Sequence, residues 1–194
     1  MKSDLDKVLA AGTQAGAAPG AVAIVVNRNE VLWEGAAGER AAGSGTPMTT
    51  DTVGAIFSMT KAITGAAAMQ LVEQGKIDPD APAGNICPWL HEVQVLDGFD
   101  DKGEPVLRAP KSPVTLRNLL THTSGFTYEL WNANEARWKQ TTGGLSLFTL
   151  ENKALQIPLA FDPGTRWEYG IGIDWVGKMV EAVAGMATQR LECV

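Results

Sequence analysis

Ser58 and Lys61 stand three residues apart in the stretch FSMTKAITGAAAMQLVEQGK, which begins at Phe57. A serine hydroxyl is a poor nucleophile until a neighbouring base takes its proton. A lysine amine serves as that base only where burial or another cation destabilises its ammonium form. At i and i+3 on a helix the two side chains project to one side. The N-terminal end of such a helix adds free N–H groups and a positive dipole suited to a developing oxyanion. The plain alternative is that Ser58 caps the helix and Lys61 is solvated. Six serines and nine lysines in 194 residues give about 0.3 such pairs by chance, so the pair alone is a weak signal.

A second stretch, FDPGTRWEYG at 161–170, sets a turn at Asp162-Pro163-Gly164 and carries Tyr169, one of only two tyrosines (the other is Tyr128). A buried structural tyrosine is the plain reading. A phenol held beside a lysine can instead stay partly ionised and shuttle a proton to and from a serine. Competing schemes are poor. No serine sits in a G-x-S-x-G turn. Of the two histidines, His91 and His122, the latter lies in THTSG, a tight turn in which side-chain to backbone bonding is expected. Two separated histidines with Cys87 and Cys193 offer no sensible metal-ligand set. No P-loop or dinucleotide-binding glycine pattern follows a strand.

These residues need elements to hold them. Leu5, Val8 and Leu9 predict a short amphipathic helix over 3–15. GAVAIVVNRNEVLWEGAAG predicts a hairpin with strands at 21–26 and 31–36 around the polar turn Asn27 to Glu30. After a Gly/Pro/Thr loop, Met59, Ile63, Ala67 and Leu71 mark the inner face of the Ser58 helix, with Gly75 as its stop. A helix this apolar is expected to be buried. A smaller hairpin is read at 93–108, a short helix capped by Thr115 at TLRNLL, and mixed structure across 126–165. Asp174 is expected to cap a last helix lined by Val176, Met179, Val180 and Val183 and ended by Gly185. Only 21–36 offers a substantial strand pair, and an isolated hairpin is marginal. The sheet is therefore either very small or completed by strands outside this chain.

Composition fits a folded globular domain, with 45% apolar and 20% charged residues. A net charge of −6 argues against nucleic acid and anionic membrane as partners. No apolar run approaches the roughly 20 residues a bilayer span needs. The N-terminal MKSDLDKVLAAG lacks a leader's apolar stretch, and two cysteines indicate no disulfide framework, so a cytoplasmic protein is expected.

Taken in order, FSMTKAITGAAAMQLVEQGKIDPDAP, PVTLRNLLTHTSGF and FDPGTRWEYG resemble the serine β-lactamase and penicillin-binding-protein superfamily. Within it they most resemble the class C β-lactamase-like carboxylesterases, also called family VIII esterases. The resemblance covers the chain to about Gly185. It implies an α+β fold of the β-lactamase/transpeptidase type, here as an N-terminal hairpin plus a mostly helical region. It implies that Ser58 is acylated, with Lys61 and Tyr169 managing the proton, that LLTHTSG is structural, and that no cofactor is needed. The implied substrate is a small-molecule ester, hydrolysed through an acyl-enzyme. A β-lactamase or D-Ala-D-Ala peptidase of the same mechanism, or a non-catalytic fragment or binding protein, are the alternatives.

Two departures bear on that reading. Class C β-lactamases carry Tyr-x-Asn where this sequence has Tyr169-Gly170-Ile171. Loss of the amide-binding asparagine favours an ester over a lactam. Members of the family are also longer, and their third motif, a Lys/His/Trp-x-Gly strand supplying an oxyanion N–H, has no counterpart here. The expected partition is 1–50 as helix and hairpin, 51–185 as the helical region with the site, and 186–194 as an atypical tail. An uncovered hairpin edge is expected to favour self-association.

Overall fold

The structure, a computed structural model, describes residues 2–149 and 151–185. The tail read at 186–194, with Cys193, lies outside the described residues. The chain forms two compact units, Met1–Ala55 and Ile56–Val194.

The first unit holds helix α1 (Lys2–Gln14) and strands β1 (Gly20–Val26) and β2 (Val31–Gly38). The strands pair antiparallel from Gly20↔Gly38 to Val26↔Val31, with an irregularity between Val25 and Val26. Asn27 makes the turn: its Oδ1 accepts the N–H groups of Asn29 and Glu30 at 2.8 and 2.9 Å. Helix α1 lies on the hairpin, where the Trp33 indole donates to Asp6 Oδ1 at 3.0 Å. Its expected face is only partly realised. Leu5 and Leu9 are half-buried but Val8 is exposed, because one small hairpin covers one narrow stripe of helix.

The second unit is built around α2 (Thr60–Glu73), α3 (Leu116–Leu120) and α5 (Gly172–Ala184), with α4 (Ala133–Thr142) and several 3₁₀ turns. Its core includes Leu116, Leu119, Phe126, Ile157, Leu159, Val176 and Met179. A Cβ on Gly172 would lie 2.6 Å from the Leu119 carbonyl oxygen, so only glycine lets α5 approach α3 this closely. Helix α3 opens on a reciprocal cap, in which Thr115 Oγ1 accepts the Asn118 N–H and Asn118 Oδ1 accepts the Thr115 N–H, each at 3.2 Å. Strands β3 (Val95–Phe99) and β4 (Pro105–Arg108) form the second hairpin. β3 also bonds a passing segment, with Leu96 N–H donating to Leu159 O at 2.8 Å and Leu159 N–H to Gln94 O at 2.8 Å. Among the described residues both sheets have only two strands, as the shortage of strand signals predicts.

Two expectations are corrected. The buried face of α2 is Thr60, Thr64, Ala68 and Leu71; Met59 and Ile63 are 71% and 56% exposed. Small side chains at i+4 spacing suit the close contact with α5, and Thr64 satisfies its hydroxyl on the Thr60 carbonyl at 3.2 Å. Of the expected set, Met59 and Ile63 face outward, Ala67 is half-buried and Leu71 faces inward, so apolar periodicity failed at the head of the helix and held at its end. Nor does Asp174 cap α5. The cap residue is Ile171, and Asp174 lies inside the first turn, donating its N–H to Ile171 O at 3.0 Å. The helix starts two residues early because Gly172 is already seated on α3.

Candidate active site

A single 3₁₀ turn, Phe57–Met59, delivers Ser58 to the head of α2. Phe57 takes the left-handed conformation (φ +45°), which a bulky residue adopts only when its surroundings impose it. The helix cap is Met59 and carries no side-chain bond, so the Ser58 hydroxyl is not spent on capping. Instead Lys61 Nζ donates to Ser58 Oγ at 3.2 Å, and Tyr169 Oη lies 2.8 Å from the same oxygen. The ammonium also lies 5.0 Å from the centre of the Tyr169 ring. All three predicted site residues thus converge on one hydroxyl.

The loop bearing Tyr169 is fixed along its length. Asp162 accepts two bonds from the Arg108 guanidinium at 2.8 and 2.9 Å and the Lys111 N–H at 2.9 Å. Those partners, Arg108 first, hold its carboxyl down to about 2. Gly164 N–H donates to Thr123 O at 2.8 Å, and Glu168 N–H to His122 O at 3.0 Å. Gly170 N–H donates to His122 Nδ1 at 3.4 Å, which is the side-chain to backbone role the THTSG turn suggests. A Cβ on Gly170 would lie 2.1 Å from the Phe126 carbonyl oxygen, so the residue after Tyr169 must be glycine. The His122 ring packs 4.7 Å from that of Tyr169 and 6.1 Å from that of Trp167.

Electrostatics tune the phenol. Burial by itself raises the Tyr169 pKa, but bonds to Lys61 and Ser58 and the nearby ammonium outweigh it, leaving the group below its ordinary value of 10. Burial lowers the His122 pKa, and the Lys61 charge lowers it further. Asp174 is raised by burial, and its charge opposes ionisation of Tyr169. A hydroxyl bonded to a phenol whose pKa an ammonium lowers can pass its proton to the phenolate and recover it for a leaving group. Among the described residues no group of three His, Cys, Asp or Glu could hold a metal ion.

Sequence reasoning missed what supports Tyr169. The Arg108–Asp162 pair joins residues far apart in the chain, and no local pattern announces it. Glu135 and Lys139 form an i,i+4 pair that reads as a solvated helix face, yet they are 2% and 7% exposed. No helix among the described residues is long and apolar enough to cross a membrane.

Comparison with known proteins gives these contacts a family. Lovastatin esterase of Penicillium rubens is 36% identical over 186 residues, covering 93% of this chain and 47% of that protein. Monacolin J acid methylbutanoyltransferase of Aspergillus terreus is 37% identical over 146 residues, covering 74% and 35%. The unliganded structure of simvastatin synthase (LovD) from Aspergillus terreus superposes with a TM-score of 0.86 at 29% identity, over 97% of this chain and 50% of that one. The chain thus spans about half the length, or less, of the relatives it matches. Its fold is the α+β arrangement of those β-lactamase-like proteins. The beta-lactamase family model matches residues 5–191, and the chain belongs to that family.

Proposed function

We propose that this chain carries the acyl-transfer centre of a serine hydrolase acting on carboxylic esters, of the family VIII carboxylesterase type. The observation that carries the reading is the position of Ser58 Oγ, 3.2 Å from Lys61 Nζ and 2.8 Å from Tyr169 Oη. Ser58 attacks the ester carbonyl while its proton passes to the Tyr169 phenolate, the form that the Lys61 ammonium favours. The Ser58 N–H, in the turn that precedes α2, is one donor this chain can offer to the developing oxyanion. Tyr169 returns the proton to the departing alcohol, and water then attacks the acyl-enzyme by the reverse proton path.

Short-chain esters are the proposed substrates. Ile171, 1% exposed, stands two residues after Tyr169, where a lactamase places an amide-binding side chain, and it offers no polar group to a lactam's amide. A second reading, transfer of the acyl group to an alcohol instead of water, is supported by the relative named as a methylbutanoyltransferase. The two readings share the acyl-enzyme and differ in what resolves it.

The test is labelling with a fluorophosphonate followed by peptide mapping, then turnover of a short-chain nitrophenyl ester against a chromogenic cephalosporin. The expected adduct is on Ser58, with the ester preferred and Ser58→Ala inert. A higher kcat/KM for the cephalosporin would replace the esterase by a lactamase or peptidase. A folded chain with no adduct would return it to the class of binding proteins. Adding a second alcohol and finding its ester among the products would favour the transferase.

A further inference from the structure

Helix α4 buries two charged side chains beside the residues that flank Tyr128. Thr127 Oγ1 donates to Glu135 Oε2. Lys139 Nζ donates to Glu129 Oε2 and lies 3.3 Å from Glu135 Oε1. Ser146 Oγ closes the group with a bond to Glu129 Oε1 at 2.5 Å. Thr127, Glu135 and Lys139 are all nine-tenths or more buried. Burying an ammonium between two carboxylates gives little net stability over an apolar cluster of the same size. Such a group earns its place by fixing one arrangement of the chain.

What it fixes is the neighbourhood of Tyr169. Residues 127 and 129 are both gripped by α4, and between them the Tyr128 ring packs 5.5 Å from the ring of Tyr169. The backbone of Phe126 and Thr127 lies directly against Gly170, leaving no room for a Cβ there. Asn132 ties the same parts together. Its Oδ1 caps α4, accepting from Asn134 and Glu135, while its Nδ2 donates to Glu168 Oε1 at 2.8 Å. Helix α4 is thus linked to Glu168 through its cap Asn132, and to Gly170 through Thr127, which bonds Glu135.

We propose that the Glu129–Lys139–Glu135 cluster, with Thr127 and Ser146, is a positioning device. It clamps Tyr128 through its two neighbours, and Tyr128 with Gly170 sets the Tyr169 phenol against Ser58. Why the phenol's place matters rests on the serine-hydrolase reading; that the cluster sets it does not.

The experiment compares the 194-residue chain with Thr127→Val, Thr127→Ser and Ser146→Ala. Two readouts are taken on folded samples. The first is phenol titration by tyrosinate absorbance, with Tyr169→Phe identifying the Tyr169 step. The second is the maximal rate and half-saturation of fluorophosphonate labelling at Ser58. Thr127→Val should move the Tyr169 titration up toward the free-tyrosine value and lower the maximal labelling rate roughly tenfold, with half-saturation unchanged. Thr127→Ser keeps the donor to Glu135 and should stay near the parent in both. Ser146→Ala, at a partly exposed site, should give a smaller change of the same sign and decides the matter where Thr127→Val fails to fold. A folded Thr127→Val or Ser146→Ala with parent titration and rate would overturn the proposal. A parent chain that does not label at all would remove the functional reading, and the titration would still decide the role of the cluster.

Discussion

The segment from Phe57 to Lys61 and the loop from Phe161 to Gly170 reach the same hydroxyl from different foundations. The loop is held by Arg108 from the second hairpin, by Thr123 and His122 from the turn after α3, and by Asn132 from the head of α4. The serine segment is held from one side only. Thr60, Thr64 and Ala68 face inward, while Phe57, Met59 and Ile63 are each more than half exposed. The Tyr169 phenol is therefore preorganised by contacts within this chain, whereas Ser58 depends on a single helix face and a strained residue at Phe57. Preorganisation of this kind lets a site act without rearranging at the moment of reaction.

The comparison is most directly broken at the hydroxyl where the two parts meet. Tyr169→Phe should cut Ser58 acylation by roughly 10²–10⁴ and leave the melting temperature close to that of the parent. Stopped-flow labelling beside a thermal melt checks it, and a normal rate would make Tyr169 a packing residue. Next come truncations on the two sides of the unit. Leu119→Ala, in the core beneath the loop, should cost about 2–5 kcal/mol, while Ile63→Ala on the outer face of α2 should stay within about 0.5 kcal/mol. Equal costs in urea unfolding would mean that the outer face is covered in solution.

Acid should loosen the loop before the helix. Asp162 is held near 2 in the folded chain, against an ordinary value of 3.8. A lowered folded value means the contribution is complete above about pH 4 and fades as pH falls toward 2. Melting temperatures of the parent and Asp162→Asn should differ most at neutral pH and converge near pH 2; a constant gap would contradict this. The smallest effect concerns the first unit. We propose that a second copy of the chain pairs with the open edge of β1, where Val22, Ile24 and Val26 are exposed on one face. Ile24→Lys should lower the sedimentation-average mass without changing Ser58 labelling. An unchanged monomeric mass in the parent would dispose of the idea.

Local chemistry was legible wherever neighbours in sequence do the work. The Asn27 turn, the Thr115 cap and the Gly75 stop are decided within a few residues, and each formed as read. The grouping of Ser58, Lys61 and Tyr169 was legible through three ordered motifs taken together, since the Ser58–Lys61 spacing alone is a weak signal and Tyr169 alone reads as a packing residue. The inner face of α2 was not, because Thr60 and Thr64 are polar by type and apolar by setting. Asp174 looks like a helix cap, but packing of Gly172 on α3 starts the helix before it. The buried Glu135–Lys139 pair shows the same limit: charge spacing reveals an i,i+4 contact and says nothing of what covers it.

The bond between Ser58 and Tyr169 joins residues 111 positions apart. Ser58 is exposed and Tyr169 only half-buried, so the contact adds little apolar burial of its own and forms only once the packed core has brought the two residues together. The Trp89–Trp175 stack, with ring centres 5.2 Å apart, lies in the core and forms with it. On refolding, tryptophan fluorescence should therefore recover first and serine reactivity afterwards, so that a newly made chain carries an inert Ser58 until its core is closed.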